Sequence, residues 1–180
     1  PEGSDLCITP VSAPENHYVR IKADNRLEAD GTLRGTFTLT AEGQSDSNIR
    51  RIFTTGFQSE WKSTMERQLL AISPKARLLS VDYGKNPKDY QAAPIKITFR
   101  YEIPDYALKG EGEMFFRPMV MNNLYNQVRS YMWIDTSVEN RKYGFKDACS
   151  RLVELDETVQ LPAGYKLVSA VKDETMQGVG

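Results

Sequence analysis

The chain has 180 residues, of which 40% are hydrophobic and 26% are charged, a composition typical of a single globular domain. Its formal net charge is −1 at pH 7, and this balance argues against nucleic-acid binding, which needs a basic face. No run approaches the roughly 18 consecutive apolar residues of a membrane-spanning helix, so we expect no membrane span.

The two ends of the chain differ in composition from its middle. Residues 1–15 are rich in proline, glycine and serine, which is typical of a linker, and residues 173–180 carry no capped element, which predicts a frayed tail. We therefore assign one β-rich domain to residues 16–172. Both ends look cut from a larger protein, and a targeting signal would then stand on a removed N-terminal segment.

The first predicted element is a β-hairpin around Asp30-Gly31. Alternating segments flank this pair at 18–29 and 33–40, and glycine tolerates the positive φ that a tight hairpin turn requires. We expect the apolar positions to face a core and the intervening arginine, lysine and threonine side chains to face solvent. The core candidates are Val19, Ile21, Leu33, Phe37 and Leu39.

The sequence period then changes to that of a helix over residues 45–73. Charged residues such as Arg50 are expected on the outside, with Ser45 or Asp46 as the N-cap. The Thr-Thr-Gly sequence at 54–56 lowers helix propensity, so the segment is either one long helix or two helices at a kink. Apolar residues recur at steps of three and four along one stripe, namely Ile49, Ile52, Phe53, Phe57, Trp61, Met65, Leu69 and Ile72.

A second group of strands follows the helical segment. Residues 77–83 and 95–103 alternate, and residues 113–117 are the predicted partner of 95–103. A further strand is predicted at 151–159, and a turn into another at 161–168. This order indicates an α+β, mainly β fold, in which antiparallel, β-sandwich-like sheets pack against one long or kinked amphipathic helical segment.

The residue content gives little support to catalysis. The chain has one histidine, His17, and its two cysteines, Cys7 and Cys149, are far apart in sequence, so a Cys-His nucleophile or a zinc site lacks partners, and spacing alone does not decide whether the cysteines pair. Glu111 and Glu113 would lie on one side of an extended segment, as in a glycosidase pair, but solvated charges beside a strand are commoner. We predict no enzymatic activity, cofactor or metal site within this chain.

Aromatic residues give a stronger indication of binding. They concentrate between positions 83 and 133, where exposed rings can stack on sugars or anchor a protein partner, although many such rings fill the space between sheet and helix. We expect Tyr125, Tyr131 and Trp133, in an Asn- and Tyr-rich segment, to be the exposed ones. This pattern suits a stand-alone carbohydrate- or peptide-binding β-sandwich with a protein or glycan ligand.

Three segments in fixed order carry a family resemblance. They are LEADGTLRGT at 27–36, YEIPDYA at 101–107, and RKY at 141–143 together with LPAGYK at 161–166. In this order they resemble the β-rich domain that follows the papain-like core of bacterial transglutaminase-like envelope proteins. Two features depart from that family: Gly144 stands where a proline is usual, and the family's β domain continues for several strands beyond the Leu-Pro-x-Gly-Tyr turn.

The resemblance implies a non-catalytic accessory domain of an exported transglutaminase-like or cysteine-protease-like protein. Such a domain would position or gate the catalytic domain of the same polypeptide, in the periplasm, the cell envelope or outside the cell. No catalytic residue of the family can be assigned here, because the chain has no second histidine and no segment that matches the nucleophile's motif. A missing terminal strand would leave a sheet edge able to recruit another chain.

Overall fold

The computed structural model describes residues 10–91, 94–119, 142, 150–169, 172–175 and 177. Their helices and strands are β1 (Tyr18–Leu27), β2 (Leu33–Ala41), α1 (Gly43–Thr54), α2 (Trp61–Ile72), β3 (Arg77–Asp82), β4 (Ile95–Ile103), β5 (Leu108–Lys109), β6 (Met114–Phe115) and β7 (Leu152–Gln160). The α+β, mainly β fold class is confirmed. None of the helices in this part of the chain is long and apolar enough to cross a membrane. The predicted linker and tail lie partly outside the described residues, so the domain limits stay predictions.

Five strands form one sheet in the order β3-β4-β2-β1-β7. The first three neighbouring pairs are antiparallel, whereas β7 lies parallel to β1, so the sheet is mixed rather than wholly antiparallel. The prediction that residues 113–117 pair with β4 is wrong: Met114 and Phe115 pair with β5 in a separate hairpin. Strand β4 already has β2 on one side and β3 on the other, and therefore has no free edge for a further partner.

The predicted β1–β2 hairpin is present, but its turn runs from Glu28 to Gly31, closed by a 2.9 Å hydrogen bond from the Gly31 amide to the Glu28 carbonyl, so Asp30-Gly31 is not the centre of a primed turn. Gly31 has a φ of 89°, and the Thr32 amide donates a hydrogen bond of 2.8 Å to Asp30 Oδ1. This bond holds the pKa of the Asp30 carboxyl below its ordinary value. The predicted core positions Val19, Ile21, Leu33 and Phe37 are buried, and Leu39 packs partly buried against the same core.

The helical segment is two helices, which pack on one face of the five-stranded sheet, called here the inner face. The break between them follows Thr54, where the β-branched pair and glycine weaken the helix. Trp61 is buried as predicted and contacts Phe53 edge-on, with ring centroids 5.1 Å apart. Phe57 was predicted on the apolar stripe, but it lies in the break and is 76% exposed, and Ile52 is 38% exposed.

The start of α1 differs from the prediction. The helix begins at Gly43, with Glu42 as N-cap and without a capping side chain. The hydroxyl of Ser45 instead donates to the His17 carbonyl, and the Asp46 carboxylate accepts from Arg50 and from the Ile95 amide. Ser45 thus ties the helix to the residue before β1, and Asp46 ties it to the start of β4; neither side chain caps the helix.

Arg50 was predicted to face solvent, and this prediction is wrong. Its side chain is 2% exposed and donates to Asp46 at 2.6 Å and to the carbonyls of Pro87 and Asp89 at 3.0 and 2.8 Å. The loop between β3 and β4 covers this side chain. The helical period of the sequence does not reveal such a contact, because the loop lies far from Arg50 in the sequence. Arg50 thus fastens this loop to α1.

A line of polar side chains crosses the inner face of the sheet. The Tyr101 hydroxyl donates to Asn25 Oδ1, and Asn25 Nδ2 donates to Glu157 Oε1 at 2.7 Å. Strand β2 separates Tyr101 from Asn25, and Gly35 is its residue in register with both. Because Gly35 has no side chain, the tyrosine ring can cross β2. Burial raises the pKa of the Tyr101 hydroxyl, with a smaller contribution from the Glu157 charge.

Candidate functional site

The site residues predicted from the sequence can be placed only in part. Tyr125, Tyr131 and Trp133 lie outside the described residues, as do Cys7 and Cys149. The aromatic binding site therefore stays a prediction.

The remaining candidates for chemistry lie apart in the chain and serve local structure or face solvent. His17 Nδ1 accepts a hydrogen bond of 3.1 Å from the Gln44 amide near the start of α1. Glu111 and Glu113 are exposed in the turn that joins β5 and β6. Within the described ranges, His, Cys, Asp and Glu form no group of three or more that could hold a metal ion.

An apolar surface at one end of the sheet is the more informative feature. The β5–β6 hairpin forms one side of it, with Leu108 opposite Phe115 and Lys109 opposite Met114. Met114 and Phe116 pack against the core, so the alternation of a strand turns Phe115 outward. Phe115 is 60% exposed and Leu108 is 74% exposed.

The segment after β7 forms the other side. Pro162 follows the strand, and a turn closes with a 3.1 Å hydrogen bond from the Tyr165 amide to the Pro162 carbonyl, with Gly164 at a φ of 85°. This turn requires the positive φ that glycine adopts readily. Beyond it, Leu167 and Val168 are largely exposed.

Between the two sides lies a groove of about 340 Å³, called here the apolar groove. Leu27, at the end of β1, and Leu161, just after β7, reach it because these parallel strands end together. Glu113 and Lys166 give it a polar rim. A continuous exposed apolar surface with a polar rim is typical of a binding or docking site, since scattered apolar residues do not form one.

Hydrogen bonds to main-chain carbonyls fix the hairpin at this end of the sheet. The carbonyl of Gly31, in the β1–β2 turn, accepts from the amides of Tyr106 and Ala107 at 2.9 and 3.0 Å. The Tyr106 hydroxyl donates to the Arg117 carbonyl at 2.6 Å, on the far side of the hairpin. The hairpin is therefore held at both of its ends, and its outward residues are set in place relative to the sheet.

The groove was not predicted from the sequence, although one signal was present. Met114, Phe115 and Phe116 are consecutive apolar residues in an extended segment, and alternation allows only two of them to face a single core. The third must be exposed or covered by something else. The same holds for Leu167 and Val168 in the last predicted strand: as neighbours in a strand, they cannot both face one core.

None of the family models, curated proteins or solved structures with which the chain was compared matches it. The resemblance to transglutaminase-like envelope proteins therefore stays a prediction drawn from the segments themselves.

Proposed function

We propose that this chain is a non-catalytic accessory domain of an exported transglutaminase-like or cysteine-protease-like protein, located in the periplasm, cell envelope or extracellular space. It docks on the catalytic domain of the same polypeptide through the apolar groove, and so positions or gates that domain. The observation that carries the proposal is the exposure of Leu108, Phe115, Leu167 and Val168 on one surface, where a monomeric domain would otherwise leave apolar area in water.

Three of the segments that carry the resemblance add support, because they meet at this end of the sheet; residues 141–143 lie largely outside the described residues. Residues 27–36 contain the β1–β2 turn and the first residues of β2, and residues 101–107 run from the end of β4 to that turn, where two amides donate to the Gly31 carbonyl. Residues 161–166 line the groove together with Leu27. If these segments form one docking surface, their common resemblance to a single family has a physical reason, although they lie far apart in the sequence.

The test uses the complete polypeptide that the gene encodes. Its coding sequence is expected to specify a Cys-His-Asp catalytic domain before Pro1. In that polypeptide, amides at 108–116 and 161–168 should exchange hydrogen more slowly than in the 180-residue chain, because docking covers them. A gene that begins at Pro1, or equal exchange in both proteins, would contradict the proposal.

A substitution in the groove sharpens this test. Phe115→Ser in the complete polypeptide is expected to abolish the extra protection at 161–168, since it removes a central apolar contact of the interface. Phe57→Ser is the matched control, because Phe57 is also strongly exposed but lies between the helices. Hydrogen exchange read by mass spectrometry measures both, and equal loss of protection in the two variants would argue against docking through the groove.

A further inference from the structure

In the part of the chain that the structure describes, the outer face of the five-stranded sheet, opposite the helices, is polar and exposed. Its arginines reach into solvent: the side chains of Arg26 and Arg34 are 64% and 57% exposed. A depression of about 420 Å³ lies over strands β1, β2 and β4, with Arg100 and Asp24 in its lining. We call it the outer pocket.

The backbone of β3 shapes one edge of this pocket. A β-bulge between Leu78 and Ser80 places Leu79, which is 50% exposed, at the pocket's edge. Bulges of this kind redirect side chains and are frequent beside functional sites. In register across the sheet, Arg100 on β4 is followed by Thr36 on β2 and Asp24 on β1. Strands lie about 4.8 Å apart, so Arg100 and Asp24 stand about 10 Å apart at their backbones.

The charges in the pocket are not all compensated within the protein. Arg34 approaches Glu102 at 3.3 Å, and Arg26 lies 3.5 Å from Glu28. In the part of the chain that the structure describes, the side chains of Arg100 and Asp24 form neither an ion pair nor a hydrogen bond. One guanidinium and one carboxylate are thus available to a ligand between them.

We propose that the outer pocket binds an acidic sugar of hexuronate size. The planar Arg100 guanidinium would take the sugar carboxylate in a bidentate pair, and Asp24 would accept hydrogen bonds from sugar hydroxyls. Thr36 and Thr158 offer further hydroxyl partners, and Leu79 provides an apolar wall for one face of the ring. The pocket volume lies within the range of small-molecule sites. This proposal is independent of the docking function of the apolar groove.

Titration of the 180-residue chain with sodium glucuronate, followed by ¹H–¹⁵N NMR, tests the proposal. The amides of Gly35 and Thr36 are expected to shift with saturation. Arg100→Gln should weaken binding about tenfold or more, because it removes a charge-assisted contact. Lys96→Gln is the matched control, since Lys96 is an exposed cation on the same face of β4 but outside the pocket lining.

Two further probes identify what the pocket recognises. Glucose should cause shifts at Gly35 and Thr36 only at concentrations at least tenfold higher, because it lacks the carboxylate. Sulfate, titrated in the same way, is a second anion that lacks sugar hydroxyls. Asp24→Asn should weaken the binding of glucuronate and leave the binding of sulfate unchanged. Three outcomes would each overturn the acidic-sugar assignment. They are the absence of saturable shifts with glucuronate, an equal loss of glucuronate affinity in Arg100→Gln and Lys96→Gln, and equal affinity for sulfate and glucuronate.

Discussion

Replacement of Arg50 by methionine is expected to lower the free energy of unfolding by about 3–5 kcal/mol, the usual cost of removing one partner of a buried ion pair. Methionine fills similar space but carries no charge. It would leave the Asp46 carboxylate without its guanidinium and the carbonyls of Pro87 and Asp89 without their donor. Urea unfolding followed by far-ultraviolet circular dichroism measures the change.

The contacts of Arg50 extend further than the ion pair. Asp46 Oδ1 accepts a hydrogen bond of 2.7 Å from the Ile95 amide, at the first residue of β4. Loss of Arg50 therefore loosens both the loop that leads into β4 and the carboxylate that holds the strand's start. We expect Arg50→Met to speed hydrogen exchange in the loop between β3 and β4 more than in the β1–β2 hairpin, each compared with the unsubstituted protein.

Arg51→Met is the control for this prediction. Arg51 precedes the helix break on α1 and is exposed, so its replacement should change stability by no more than about 0.5 kcal/mol. A loss below about 1 kcal/mol for Arg50→Met would show that the buried guanidinium contributes little beyond its volume.

Local sequence signals predicted the elements whose partners lie close by in the chain. Asp30-Gly31 gave the β1–β2 hairpin because the turn and its flanking strands form one short-range unit. The alternation over 95–103 gave β4 with its observed bounds, since a strand buried on one face must repeat every two residues. The low helix propensity of residues 54–56 likewise indicated the break between the helices.

Long-range pairings escaped prediction for a physical reason. Strand β7 lies beside β1 in parallel, and no turn joins them that would reveal the pairing. Arg50 has the periodicity of an exposed residue, and a loop that follows some 37 residues later lies over it. The apolar groove combines β5, β6 and the segment after β7, so it exists only once the fold brings them together.

The buried polar line through Tyr101, Asn25 and Glu157 was also beyond the sequence signals, and it assigns a role to Gly35. A tyrosine and an asparagine that occupy strands on either side of β2 can form a hydrogen bond only if the intervening residue leaves space. Burial makes each member of such a line costly to leave without its partner. Gly35 is therefore the residue on which the line depends.

Gly35→Val is expected to destabilise the protein by about 3 kcal/mol or more, the upper range for overpacking a filled core. A Cβ at this position would lie 2.5 Å from the Asp24 carbonyl oxygen and closer still to Asn25 Oδ1, so the strand itself must move. Gly110→Val is the matched control, because the nearest atom to a Cβ at Gly110 is 4.0 Å away. Urea unfolding of both variants checks this, and equal stabilities would mean that the Tyr101–Asn25 bond does not need an empty position on β2.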